Sequence, residues 1–152
     1  MKLIVKDGIA GRGVFASEPV PASARLMRFT GPLLRRHQTT PQTLAVQIGP
    51  DLYLGASGGM DDYVNHSCRP NAGLRIMGLH CELISLRAIA AGEEICFDYS
   101  TTMDEDDFEM ACQCRTEVCR EIVRDFKHLP MQLKQQYAKL GVVPEYNLKY
   151  VR

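Results

Sequence analysis

The sequence predicts a mainly β body of several small sheets, then a short metal-binding segment, then one C-terminal helix. Three observations support this. Gly and Pro turns cut the first hundred residues into short β-prone runs. Three cysteines crowd into residues 112–119. Apolar residues take up helical spacing only after Pro130.

Leu3 to Val5 is a brief β-prone run. Gly8 and a Gly11-Arg12-Gly13 turn follow it, then a short strand from Val14 to Ala16. Pro19 and Pro21 break the chain, and Leu26 to Phe29 forms a strand closed by Gly31-Pro32. Leu44, Val46 and Ile48 alternate with Ala45 and Gln47, the period of two expected of a half-buried strand. Leu52 to Leu54 resumes after Gly49-Pro50-Asp51. The clearest strands are Leu79 to Leu86 and Glu94 to Tyr99, separated by Ala90-Ala91-Gly92, whose glycine permits positive φ.

Composition changes after Tyr99. Ser100 to Thr102 reads as a polar link. Asp104 to Glu109 holds five carboxylates and reads as a solvated helix start or as an attractant for a basic peptide. Pro130 can occupy the first turn of a helix in which Leu133, Tyr137 and Leu140 share a face and which Gly141 ends. The chain divides into a body over 1–100, a cysteine-bearing segment over 101–124 and a helical extension over 125–152.

Hydrophobic residues make up 45% and charged residues 24%, and the formal net charge is zero. A neutral chain gains nothing from bulk electrostatics on a polyanion, so no direct nucleic-acid partner is expected. The apolar run near the N-terminus, Leu3-Ile4-Val5, stops at Lys6 and suits neither a signal peptide nor a membrane span. We therefore expect no membrane association and a cytoplasmic or nuclear protein; delivery into a host cell is compatible with the same features.

Cys112, Cys114 and Cys119 are spaced C-x-C-x4-C. Clustering of this kind in a chain without a signal peptide favours metal over disulfides. Zinc takes four tetrahedral ligands, so a fourth must come from elsewhere. The candidates are Cys68, Cys81, Cys96 and a histidine. Cys81 and Cys96 lie within strong strand patterns, where buried thiols are inert. Cys68 lies in the polar stretch His66-Ser67-Cys68-Arg69-Pro70-Asn71 and is the better candidate. Four thiolates leave no open position, so such a zinc would be structural.

These residues also carry a family resemblance. Asn65-His66-Ser67-Cys68-Arg69-Pro70-Asn71 resembles the N-H-S-C-x-P-N motif of SET-domain lysine methyltransferases, and Gly92-Glu93-Glu94-Ile95-Cys96-Phe97-Asp98-Tyr99 resembles their G-E-E-[L/I]-x-F-D-Y segment. Gly11-Arg12-Gly13 resembles the N-terminal G-x-G motif, and Cys112, Cys114 and Cys119 resemble the post-SET zinc motif. The four motifs stand in family order over residues 8 to 124. The chain departs from the pattern at Asp62-Tyr63-Val64, at Ser100 after the F-D-Y tyrosine and at Arg115 after C-x-C, where the family often has Arg, Gly and Gly.

The resemblance implies a SET-type fold of several small β-sheets with a pseudoknot, a zinc-bound post-SET segment and the C-terminal helix. It implies transfer of a methyl group from S-adenosylmethionine to a lysine of a protein or peptide. Tyr99 becomes the catalytic phenol. Gly11, Arg12, Gly13, Tyr63, Asn65, His66 and Tyr99 are the expected cofactor contacts, and Ile122 and Val123 a wall for the adenine. Tyr53 and Phe97 would line the lysine channel, with a Phe at position 97 suiting di- or trimethylation. Cys68, Cys112, Cys114 and Cys119 would hold the zinc. Phe97 and Tyr99, two residues apart, are expected on one side of a strand. The same motifs allow a second reading, a catalytically silent zinc-stabilised domain that binds peptides. Retention of Tyr99, Asn65, His66 and the two glycines favours the enzyme.

Overall fold

The computed structural model describes residues 1–152. Its strands are β1 (Leu3–Gly8), β2 (Gly11–Ala16), β3 (Arg25–Phe29), β4 (Leu33–Leu34), β5 (Val46–Gly49), β6 (Leu52–Leu54), β7 (Asn65–His66), β8 (Ala72–Met77), β9 (His80–Ser85), β10 (Glu94–Phe97), β11 (Glu109–Ala111) and β12 (Ile122–Arg124). One α-helix, α1, spans Met131–Lys139. The sheets are small, with strand orders β1-β2-β10-β7, β3-β9-β8, β4-β6-β5 and β11-β12. No helix is long and apolar enough to cross a membrane.

The first hairpin pairs Leu3 with Ala16 and closes at Gly8 opposite Gly11. Its turn is therefore Ile9-Ala10, and the glycines expected to form a turn belong to β2. Gly11 has φ 85°, a conformation that costs glycine little. Strand β10 lies between β2, antiparallel, and β7, parallel. The parallel pair sets Cys96 opposite Asn65 and Phe97 opposite His66, so two motifs thirty residues apart become neighbours.

The alternation expected over Leu44 to Ile48 breaks down. The β5–β6 register shifts between Gln47 and Gly49, and both Gln47 and Ile48 are buried while Leu44 is exposed outside the strand. The buried Gln47 amide is satisfied: its oxygen accepts from the Asp104 N–H at 2.8 Å, and its nitrogen donates to Gly49 O at 3.2 Å. The sequence does not mark strand β8, because Gly73 and Arg75 interrupt its apolar residues. It forms through full pairing with β9, from Ala72 opposite Ser85 to Met77 opposite His80.

The main core gathers Val14, Ile95 and Phe97 from one sheet, Leu74 and Leu83 from a second, and Ile89 from the connection between β9 and β10. Each fully buried Leu or Ile among them contributes about 2 kcal/mol. A second cluster joins Ile84 of β9 to Phe126, Leu129, Tyr137 and Val142, so the C-terminal segment packs on the body. Helix α1 starts after Pro130, and Gly141 at φ 73° turns the chain out of it. Its inward face is Leu133, Lys134 and Tyr137. Leu140, expected on that face, caps the helix and is 36% exposed. Lys134 is buried but donates from Nζ to Lys127 O at 2.6 Å, which gives its charged head one partner.

Gly73 marks a close contact between body and C-terminal segment: a Cβ there would lie 2.7 Å from Val142 Cγ1. Gly73→Ala is expected to cost about 1–3 kcal/mol by overpacking. Urea unfolding measures this, and Val142→Ala in the same chain should recover part of the loss.

Candidate active site

Strand β10 ends at Phe97, and the chain turns at once into a 3-10 turn over Tyr99–Thr102. Tyr99 is thus on a turn rather than on the strand. Its ring still meets Phe97, with centroids 4.8 Å apart, and the His66 ring at 5.3 Å. Ser100, Thr101 and Thr102, expected as a polar link, are all buried. The Asp98 carboxylate opens the turn by accepting the Ser100 N–H at 3.0 Å. Asp98 is itself buried, and its charge is met by the Arg120 guanidinium at 2.7 and 2.9 Å and by the Tyr137 hydroxyl at 2.9 Å.

Tyr99 lies between two cavities. One has a volume of about 680 Å³ and is walled by Phe29, Tyr53, Val64, Phe97 and Tyr99. The other, about 100 Å³, is bounded by Ile9, Ala10, Asn65, His66, Met110 and again Tyr99. The Tyr99 hydroxyl donates to Val64 O at 2.7 Å, and burial pushes the phenol well above its usual pKa. It is therefore a neutral donor that keeps its lone pairs free.

In the larger cavity the Tyr53 hydroxyl donates to Glu105 at 2.6 Å. Burial, then that carboxylate, pushes its pKa upward. Glu105 lies within the run of carboxylates, which forms no helix. Asp104 meets Lys149 at 3.0 Å and the Tyr150 hydroxyl at 2.8 Å. Asp106 pairs with Lys127 and Asp107 with Arg36, and Glu109 is 3.2 Å from Arg124. Each carboxylate has a partner, and the run forms no helix, which corrects the expectation of a helix start; Asp106, Asp107 and Glu109 are nevertheless solvated as expected.

On the side of the smaller cavity, the Glu94 carboxylate accepts from the Ile9 N–H at 2.8 Å and from Asn65 Nδ2 at 2.7 Å. Asn65 Nδ2 also donates to Arg12 O at 3.1 Å. The amide nitrogen is thereby committed, and the carbonyl oxygen is left to accept from a ligand. A Cβ at Gly13 would lie 2.1 Å from Glu94 Oε1, so any side chain there would have to displace that carboxylate. The glycine's close approach serves the carboxylate beneath the hairpin.

His66 is nearly buried, and burial brings its pKa down to about 4. Nδ1 accepts the Tyr99 N–H at 3.0 Å. A neutral ring that accepts at Nδ1 carries its proton on Nε2, which is 3.3 Å from Cys68 Sγ. The 3.7 Å approach of His66 to Asp98 is therefore no ion pair.

The sulfurs of Cys68, Cys112, Cys114 and Cys119 all lie within 4.8 Å of one another, as a metal site requires. Cys68 and Cys112 are 3.7 Å apart, against about 3.8 Å along the edge of a tetrahedron with metal–sulfur bonds of about 2.3 Å. None of the cysteines is in a disulfide. Burial pushes the Cys68 thiol up, so its thiolate needs a nearby cation. The backbone N–H of Arg120 points at that sulfur from 3.4 Å. These residues suit a closed, all-sulfur metal site. Cys81 and Cys96 are buried elsewhere in the body.

The structure thus brings Tyr99, Asn65 and His66 to one cavity, Tyr53 and Phe97 to the other, and four cysteines to one point. Gly11, Arg12, Gly13 and Tyr63 lie outside the lining of both cavities. Tyr63 is 37% exposed and stacks on the Arg12 guanidinium at 5.4 Å. The expected walls Ile122 and Val123 lie one strand back, paired to Ala111 and Met110, which line the smaller cavity. Sequence reasoning missed Glu94, Glu105, Met110 and Arg120. Only Glu94 stood inside a recognised motif, and no local pattern distinguishes the other three from surface residues.

Residues 11–100 match the family model described as SET domain. The chain is 29% identical over 139 residues to "Histone-lysine N-methyltransferase ATX2" of Arabidopsis thaliana, covering 79% of this chain and 13% of that protein. It is 28% identical over 136 residues to "Histone-lysine N-methyltransferase, H3 lysine-4 specific" of Mycosarcoma maydis, covering 78% and 9%. The chain therefore spans only a small part of these relatives. Among solved structures it resembles KRYPTONITE in complex with mCHG DNA and SAH, with a TM-score of 0.69 and 22% identity over 81% of this chain and 29% of that one.

Gly13→Ala is expected to displace the Glu94 carboxylate and release both the Ile9 N–H and Asn65. The cost should be about 1–3 kcal/mol, read by urea unfolding, with faster amide exchange at Ile9. Exchange at Ile9 equal to that of the parent protein would show that the carboxylate does not hold the hairpin.

Proposed function

The chain belongs to the SET-domain family, and on that premise we propose that it is a protein-lysine N-methyltransferase. The methyl donor is S-adenosylmethionine and the acceptor is a lysine of a histone or other protein. The observation that carries this proposal is the place of Tyr99, a neutral, half-buried phenol forming a wall common to two cavities.

The acceptor amine enters through the larger cavity. Free lysine has a pKa of about 10.4 and is an ammonium at neutral pH. A channel walled by Phe29, Val64, Phe97 and Tyr99 disfavours that charge and promotes loss of the proton to water. The Tyr99 O–H is held by Val64 O, so its lone pairs face an incoming amine N–H and orient the nitrogen. Positioning of this kind can supply several kcal/mol of the barrier. Phe97 brings no hydroxyl to the channel and leaves room for an amine that already carries methyl groups, which suits di- or trimethylation. Asp61 and Asp62 at the cavity meet only neutral donors and suit a basic peptide, and histones or other intracellular proteins accord with a cytoplasmic or nuclear location.

The donor supplies an activated methyl group on a sulfonium. Asn65 Oδ1 would accept from its ammonium group, and the backbone of His66 would meet the adenine edge. Gly11, Arg12, Gly13 and Tyr63 would border the same ligand. Ile9, Ala10, Met110 and Ala111 give this ligand an apolar border. Zinc is the metal proposed for Cys68, Cys112, Cys114 and Cys119. A four-thiolate site is structural, and it ties the cysteine segment to the body so that metal binding adds to folding.

Tyr99→Phe should lower tritiated methyl transfer to core histones by about a hundredfold, while calorimetry finds S-adenosylhomocysteine binding little changed. Failure of the parent protein to bind S-adenosylmethionine would overturn the proposal. Cys114→Ser should lose the bound zinc, measured by atomic absorption, and loosen the cysteine segment while the β body stays folded. Full zinc content in that variant would refute the ligand set.

A further inference from the structure

We propose that the C-terminal segment, through Tyr137, Tyr146 and Asn147, is a positioning element that fixes Tyr99 by gripping the turn Tyr99–Thr102 from behind. This rests on the reading of Tyr99 as the phenol at the reaction centre. It concerns residues outside the stretch 11–100 that matches the family.

A single 3-10 turn leaves most of its carbonyls without partners inside the turn. This one is buried, so those groups must be met by protein. The C-terminal segment meets them. Asn147 Nδ2 donates to Thr101 O at 3.0 Å. The Tyr146 hydroxyl is 2.6 Å from Thr102 O and 3.0 Å from Gln47 O, and its one proton serves the shorter contact. The Phe126 N–H donates to Met103 O at 3.1 Å. At the head of the turn the Tyr137 hydroxyl holds Asp98, the carboxylate that caps Ser100.

Packing alone does not account for these hydroxyls. Tyr137 is buried among Ile84, Phe126, Leu129 and Val142, an apolar setting in which phenylalanine would fit. Its hydroxyl is aimed instead at a buried carboxylate, and a hydrogen bond to a charged group is among the stronger kinds. Asn147 is fully buried, and its amide nitrogen is committed to the turn. From above, the Tyr99 N–H is held by His66 and its hydroxyl by Val64 O. The phenol is thus fixed by the motif residues on one side and by residues 126–147 on the other.

The Tyr137→Phe/Tyr146→Phe double variant removes two hydroxyls and keeps both rings. Amide exchange over residues 99–104 should quicken about tenfold or more, while strands β8 and β9 stay within about twofold of the parent. The kcat for tritiated methyl transfer to core histones should fall about tenfold, with KM for S-adenosylmethionine within about twofold. Tyr137→Phe alone should show the same pattern at smaller size. Unchanged exchange over 99–104 would overturn the proposal, and so would equal quickening in every strand, which marks general destabilisation. Should the parent protein transfer no methyl to histones, the enzyme reading fails, and local exchange still decides whether the C-terminal segment holds the turn.

Discussion

The buried carboxylate of Asp98 is the constraint on which the site depends. A charge out of water is costly unless paired and fully hydrogen-bonded. Asp98 is met by the Arg120 guanidinium, the Tyr137 hydroxyl and the Ser100 N–H. These partners come from the cysteine segment, the C-terminal helix and the turn itself. To satisfy one charge, two segments 22 and 39 residues away must come to the turn bearing Tyr99, which lies at their meeting point. Removing a single partner leaves the charge short of bonds, so the arrangement is held as a unit.

The same economy appears under the first hairpin. Glu94 sits where side chains at Gly8 and Gly13 would otherwise be, and it binds the hairpin's Ile9 N–H and the Asn65 amide. Two glycines and one carboxylate thus set the orientation of Asn65 and leave its oxygen available. His66 acts similarly between the cysteine cluster and Tyr99, with one ring nitrogen toward Cys68 and the other accepting the Tyr99 N–H. A metal held by the four cysteines would therefore be one residue away, mechanically, from the phenol.

Around this fixed centre the walls are of two kinds. Phe29, Phe97 and Tyr99 form an aromatic, low-dielectric lining, suited to taking charge off an amine. Farther out, carboxylates of the 104–109 run are cross-linked to Arg36, Lys127, Lys149 and Arg124. At the surface such pairs add little stability singly. Here they pin an irregular segment that forms part of the cavity wall.

By itself the sequence determined what is local. Alternation and turn residues marked the strands at Val14 to Ala16, Leu26 to Phe29 and Leu79 to Leu86. Proline and glycine bounded the helix after Pro130. Thiol spacing pointed to a metal, with Cys68 singled out by the lack of apolar neighbours, and the order of four motifs placed the chain in its family. Tertiary structure alone decided the rest, because it depends on partners far away in the chain. Gln47 is buried since Asp104, 57 residues on, satisfies its amide. Thr101 and Thr102 are buried since the C-terminal segment takes up their carbonyls. Gly13 makes room for Glu94 rather than forming a turn. A carboxylate or an arginine looks the same in a sequence whether it faces water or anchors a turn. Only the fold brings up the opposite charge, and with it the difference between a surface residue and one that holds the site.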